Sequence, residues 1–216
     1  MPVKKSVSQR INRIFEILSA ANPAPRTELV YTNNFTLLVA VVLSAQMTDK
    51  GVNKATQDLF KVADTPEKML ALGEEKLKTY LRSINFVNTK TKNVLALCRG
   101  LMEKFNGAVP ATHDELRQLP GVGRKTANVV LNCAFGHLTM PVDTHVFRVA
   151  HRLGFSNAKK PDDVERDMLK IIPQKWLTHG HHWLILHGRY VCTARAPRCA
   201  TCTIAAYCNA KEKKHA

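Results

Sequence analysis

Two sets of residues have the types and spacing that chemistry requires. Towards the end of the chain, Cys192, Cys199, Cys202 and Cys208 follow the pattern C-x6-C-x2-C-x5-C. Four thiols within seventeen residues are a ligand set for a tetrahedral metal ion or an iron–sulfur cluster, and spacing alone does not choose between zinc and iron. The other set lies in the stretch Leu116 to His145. There Gly121-Val122-Gly123 is followed by Arg124 and Lys125, and Asp143 stands eighteen positions beyond the lysine. An amine that has lost its proton is a nucleophile, and a carboxylate can relay that proton or steady developing positive charge. The plainer employment of Lys125 is pairing with a phosphate, and that of Asp143 is capping a helix.

Two helices must position the lysine. Thr112 with Glu115 forms a capping box that starts a short helix near His113. Pro120 lacks the N–H for the next helical hydrogen bond and stops it. Gly121 and Gly123 allow backbone angles and close approaches that a Cβ blocks. Arg124 then opens a second helix with Ala127, Val130, Leu131 and Ala134 on one face. The first turn of a helix has unpaired N–H groups and partial positive charge, which together hold a phosphate. Such a grip reads no base sequence. Gly-x-Gly alone favours an ordinary helix–helix turn, but the full string from Leu119 to Ala127 is far more specific.

The 216-residue chain has a formal net charge of +15. This excess favours a polyanionic partner through attraction to phosphates and counterion release, although a merely soluble basic surface has the same composition. The N-terminus is polar and basic, without the apolar stretch of a secretory signal, and the most apolar run, Phe35 to Ala45, is too short to span a bilayer. No membrane association is expected, and the expected location is cytoplasmic. Without export, a metal or cluster is a better use of the cysteines than disulfides. Cys98 and Cys133 fall on apolar helix faces and read as packing residues.

Taken in order, the chain alternates helices with breaks. Ser6 to Gln9 reads as a capping box ahead of Val7, Ile11, Ile14, Phe15 and Leu18 at helical spacing. Asn22-Pro23-Ala24-Pro25 marks a domain crossing, and Phe35 to Ala45 predicts a helix buried on nearly all sides. Thr48 or Asp49 caps a helix carrying Val52, Ala55, Leu59 and Phe60; Thr65-Pro66 starts another, and Glu74 to Leu81 is a further piece. Ser83 to Asn88 reads as a loop, unusual for its apolar Phe86 and Val87. A long helix then points Val94, Leu97, Cys98, Leu101 and Phe105 inward and stops at Asn106-Gly107. Asp143 caps a helix ending at Gly154, and Pro161 to Ile172 and Gln174 to Gly188 supply two more. No strand run or repeat appears, so the predicted fold is all-α.

Leu119 to Ala127, with Met140-Pro141-Val142-Asp143, resembles the helix-hairpin-helix and the Gly/Pro-rich loop ending in Asp of a DNA glycosylase superfamily. Leu43 to Gln46, Val52 to Thr56, Val142 to His145 and His181 to Gly188 extend the similarity to the endonuclease III family over nearly the whole chain. The resemblance implies two helical domains flanking an active-site cleft. One is a six-helix barrel with the helix-hairpin-helix at 27–137; the other, at 1–26 with 138–216, is an iron–sulfur cluster domain built from both termini. It implies a base-excision-repair enzyme, a bifunctional DNA N-glycosylase and AP lyase, acting as a monomer on double-stranded DNA that contains damaged pyrimidines or abasic sites. In a bacterial host its place is the nucleoid. It also tips the set Cys192, Cys199, Cys202 and Cys208 to a [4Fe–4S] cluster.

The same resemblance assigns roles by position. Lys125 attacks the sugar C1′ as an oxidised pyrimidine leaves, and the resulting Schiff base permits β-elimination 3′ to the abasic site. The positive end of its helix and the adjacent Arg124 favour the neutral amine. Asp143 is its partner. Gln46 fills the hole left by the extruded nucleotide, and the loop of Ile84 to Asn88 wedges the opposite strand, with Ile84 and Phe86 as contacts. Here the chain departs from the family: Asn85 and Phe86 stand where a glycine and an aliphatic residue are common. Gly121, Gly123 and Arg124 meet phosphates, as do Arg195 and Arg198 on the first cluster loop, where Ala196 replaces a frequent basic residue. Asp49 and His145 line the pocket. His179, His181, His182 and His187 fall on a family helix that binds no metal, with no glutamate at zincin spacing. Two other readings compete. One is a monofunctional adenine glycosylase, disfavoured by Lys125 and by the chain end at Ala216; the other is a non-catalytic DNA-binding module with a structural cluster.

Overall fold

The computed structural model describes residues 7–210. Every regular element among them is helical: α1 (Val7–Ala21), α2 (Asn34–Leu43), α3 (Asp49–Thr56), α4 (Leu59–Val62), α5 (Pro66–Tyr80), α6 (Val87–Phe105), α7 (His113–Leu116), α8 (Arg124–Phe135), α9 (Thr144–Leu153), α10 (Pro161–Ile171) and α11 (Gln174–Tyr190), then single 3-10 turns at Cys199–Thr201 and Ala205–Tyr207. They collect into two compact units. One is Thr27–Gly136; the other draws on Met1–Arg26 and His137–Ala216. No helix among the described residues is long and apolar enough to cross a membrane.

The Thr27–Gly136 unit is organised around α2. A reciprocal cap fixes where this helix begins: Thr36 N–H donates to Asn33 Oδ1, and Asn33 N–H to Thr36 Oγ1. Phe35 to Leu43 are all buried, so the helix must be surrounded, and α3, α6 and α8 pack against it. On α6, Val94, Leu97, Cys98 and Leu101 point inward as their spacing predicts. The helix stops at Asn106 and Gly107, both left-handed, at φ 50° and 77°. The pieces expected at Pro66 and Glu74 form one element bent at Gly73, whose φ of 73° and ψ of 171° suit only glycine.

Three boundaries differ from expectation. Val52 to Phe60 is two helices, not one: the Thr56 hydroxyl bonds back to Val52 O at 3.0 Å and the chain turns at Gln57 and Asp58. Val87 and Asn88 belong to α6, because a left-handed Phe86 turns the chain directly into that helix. Helix α11 runs past Gly188 to Tyr190. The capping box expected from Ser6 lies outside the described residues.

In the other unit, α1 is fastened to the C-terminal half of the chain. The Phe15 ring stacks on Phe155 at 6.2 Å and on Trp176 at 5.9 Å. Trp176 Nε1 donates to Asn12 Oδ1 at 2.9 Å, and Trp183 Nε1 to Asn22 O at 2.8 Å. Helix α9 packs against α11 at Gly188, where a Cβ would stand 2.9 Å from His145 Cβ. Leu38, inside α2, has no exposed surface. Leu38→Ala should lower stability by about 2–5 kcal/mol, seen as a lower denaturation midpoint with unchanged helix content by circular dichroism in buffer.

Candidate functional site

Helix α8 begins at Arg124, and its N-cap is Gly123, which has no side chain to offer. The hairpin before it is closed by local bonds: Thr112 Oγ1 accepts Glu115 N–H to cap α7, and Val122 N–H donates to Leu119 O. Gly121 has φ 79°, and a Cβ there would stand 3.2 Å from Val42 Cγ1, so this glycine serves both the turn and its seat on α2. Gly123 has extended backbone, and a Cβ there would meet nothing within 4 Å. Its bareness leaves the start of α8 open. Lys125 is exposed in the first turn and Arg124 is half-buried beside it. An uncapped helix start with two adjacent cations suits a phosphate.

Two further points stand out from this unit. Gln46 at φ 56° and Phe86 at φ 58° are left-handed although neither is glycine, and both are exposed, Phe86 at 65%. Ile84 is only 3% exposed and belongs to the core, so within this loop Phe86 is the apolar residue that projects. Asp49 is half-buried at the first position of α3, which Thr48 caps. Sequence reasoning missed Lys90. It is 7% exposed, and its Nζ donates to Leu43 O at 2.8 Å and Ala45 O at 2.6 Å; burial lowers its pKa. A signal existed: Lys90 lies one helical turn before Val94 on the inward face.

In the second unit Asp143 caps α9. Its Oδ1 accepts His145 N–H at 2.9 Å and Val146 N–H at 2.8 Å, so the cap does not use Oδ2. The side chain is half-buried, as is that of His145, whose Nδ1 lies 3.3 Å from Arg148 Nη2.

Cys192, Cys199, Cys202 and Cys208 line one cavity together with Arg152, His187 and Ile204. Arginines that sequence reasoning passed over hold the surrounding chain. Arg148 Nε donates to Cys192 O at 3.0 Å; Arg152 donates to Thr193 O at 2.7 Å and Ala194 O at 3.1 Å; Arg10 donates to Leu153 O at 2.7 Å and Tyr207 O at 2.9 Å. Burial raises the Cys202 thiol, a backbone hydrogen bond at Ile204 opposes this, and the neighbouring Cys192, Cys208 and Cys199 raise it further. Four thiols around one cavity form a stable set of thiolates only around a cationic centre, so the donor chemistry fits a metal group. Among the described residues no three His, Cys, Asp or Glu side chains gather as they would on a single ion. Arg195 and Arg198 are exposed on the loop between Cys192 and Cys199. Burial pushes Cys98 up to about 12 and Cys133 up to about 11, which leaves both unreactive.

Residues 39–174 match the family described as HhH-GPD superfamily base excision DNA repair protein. Endonuclease III of Rickettsia felis is 59% identical over 201 residues, 93% of this chain and 94% of its own. That of Escherichia coli K12 is 54% identical over 192 residues, 89% and 91% of the two chains. This chain belongs to the endonuclease III branch of the HhH-GPD superfamily. A solved endonuclease III, trapped as a covalent intermediate with DNA, matches with a TM-score of 0.90 at 43% identity, covering 97% of this chain and 99% of that one. A thermostable thymine-DNA glycosylase, at TM-score 0.84 and 20% identity, shares the fold. Membership of the endonuclease III branch makes the chain a base-excision-repair DNA glycosylase and AP lyase.

One buried histidine on α11 has a measurable consequence. His182 is 6% exposed, and burial, with a smaller effect from His179, pushes it down to about 4. An unfolded histidine titrates near 6.5, so between these values the unfolded chain binds the proton and the folded chain does not. The contribution to stability is whole above pH 6.5 and is lost as pH falls towards 4. Denaturant titrations at pH 7 and pH 4.5 should show a smaller loss of stability for His182→Leu than for the wild type, by on the order of 2–3 kcal/mol.

Proposed function

We propose that this chain removes oxidised pyrimidines from double-stranded DNA and then cuts the strand 3′ to the abasic site by β-elimination. It works as a monomer in the cytoplasm, on the nucleoid of a bacterial host. One observation carries this reading. Lys125 is exposed in the first turn of an uncapped helix, in a chain 43% identical to an endonuclease III trapped as a covalent intermediate with DNA. A covalent intermediate needs a nucleophile on the protein, and an exposed amine in an electropositive setting is well suited to be one. The base estranged in that relative's complex is adenine, the ordinary partner of a pyrimidine.

The Nζ lone pair of Lys125 attacks C1′. The bond from C1′ to the base breaks with its electron pair on the departing base, which takes up a proton. The C1′–O4′ bond then breaks with its electron pair on O4′, which takes up a proton, and leaves a Schiff base between Nζ and C1′. Loss of a C2′ proton to solvent breaks the C3′–O bond and expels the 3′ phosphate, and water hydrolyses the Schiff base to free Lys125. Asp143 caps α9 through Oδ1, and by family position its part is to accept the amine proton and to steady positive charge on the sugar. The open start of α8, with Gly121, Gly123 and Arg124, grips a phosphate beside the lesion. Gln46 and Phe86 occupy the gap in the duplex and Ile84 supports their loop from the core; Asp49 and His145 are assigned to the extruded base by family position alone.

Cys192, Cys199, Cys202 and Cys208 hold a [4Fe–4S] cluster in this reading. Their arrangement around a common cavity supports a polyatomic group. When bound, the cluster supplies a rigid fastening for the loop that carries Arg195 and Arg198 to phosphates.

Borohydride reduction on an abasic duplex should trap a covalent adduct with the wild type and none with Lys125→Ala. An adduct from the variant would move the nucleophile elsewhere; none from the wild type, with binding intact, would make the chain a binding module. Purified protein should also show the broad visible absorption of an iron–sulfur cluster, lost in Cys202→Ser. A colourless protein carrying one zinc per chain would overturn the cluster.

A further inference from the structure

We infer that Asn85 and Lys90 are positioning residues that join the Gln46 turn and the Phe86 turn into one two-pronged element. The inference rests on the reading above, in which both prongs enter the duplex at the extruded nucleotide. Its starting point is the backbone. A left-handed non-glycine residue is uncommon and persists where its surroundings over-determine it. Gln46 and Phe86 are two such residues, and both are exposed.

The explanation lies in the bonds between the two turns. Asn85 Nδ2 donates to Gln46 O at 2.8 Å, across thirty-nine positions of sequence. Lys90 touches both turns at once: its backbone N–H donates to Phe86 O at 3.0 Å, and its Nζ donates to Leu43 O and Ala45 O. The lysine thus satisfies carbonyls at the C-terminal end of α2, where helix partial charge is negative, while its own helix α6 starts from Phe86. Local bonds complete each turn, Met47 N–H to Ser44 O at 3.0 Å and Ile84 N–H to Leu81 O at 2.8 Å. Ile84 anchors the second turn in the core. A glycine at position 85 makes no such side-chain bond, so this chain has a link of its own between the two prongs. The geometry therefore predicts that Gln46 and Phe86 act together, and that the coupling runs through Asn85 and Lys90.

A double-mutant cycle tests this with a duplex carrying tetrahydrofuran as a stable abasic analogue and 2-aminopurine in the opposite strand. Gln46→Ala and Phe86→Ala should each weaken binding and reduce the rise in 2-aminopurine emission that marks unstacking. Asn85→Ala should weaken binding by about three- to tenfold and lower the same emission, with an unchanged melting temperature. Combined with Gln46→Ala, it should add less than about a twofold further loss, the mark of residues acting as a unit. Lys90→Met should behave as Asn85→Ala does; if it does not fold, the Asn85 cycle decides alone. Full multiplication of the Gln46 and Asn85 effects overturns the inference, as does wild-type binding by both prong variants. Additive effects alongside loss of borohydride trapping in Lys125→Ala refute only the coupling. Trapping that survives Lys125→Ala strikes the enzyme reading itself.

Discussion

A helix has no partners of its own for the amide groups of its first turn, and what meets them decides what the helix start can do. In this chain Asn33, Thr48, Thr65, Thr112 and Asp143 each turn a side-chain oxygen onto such groups and close the helix behind them. Helix α8 has no such side-chain cap, as α4, α6, α10 and α11 have none. Its cap is a glycine, and the next two residues are Arg124 and Lys125. No side-chain cap covers this first turn and two cationic residues stand on it, a setting whose charge favours an anion. Pro120 ends the preceding helix, Gly121 turns the chain tightly enough to seat it on Val42, and the apolar face of α8 packs on α2. The buried helix α2 is the floor on which this arrangement stands.

The second unit shows the same economy in α9. Its first turn is closed by Asp143 through one carboxylate oxygen, and Arg148 and Arg152 follow further along the same helix. Those two guanidinium groups take carbonyls of Cys192, Thr193 and Ala194, while Arg10 from α1 takes carbonyls at Leu153 and Tyr207. A stretch with only two single 3-10 turns has few hydrogen bonds of its own, and charge-assisted donors from neighbouring helices supply them. The same stretch carries the four thiols around one cavity, so the arginines fasten the chain on which those thiols stand.

Much of this was legible before any coordinates. Caps at Thr112 and Asp143, the stops at Asn106-Gly107 and Gly154, and the fully apolar run of α2 all depend on residues a few positions apart, and the structure has each of them. The break between α3 and α4 was not legible, because Val52 to Phe60 keeps helical spacing across it and a hydroxyl bonding back to Val52 O is a matter of local competition.

Other features could be settled only by folding. Ile84 and Phe86 look alike in a loop, yet one is packed in the core and the other projects from a left-handed turn. Lys90 reads as one more cation on a basic helix until its amine is seen to end on carbonyls forty-five and forty-seven positions away. Local pattern encodes where a helix starts, stops and turns its apolar face. It does not encode which distant carbonyl a donor will reach, since that depends on how whole helices pack, and packing is a property of the assembled core.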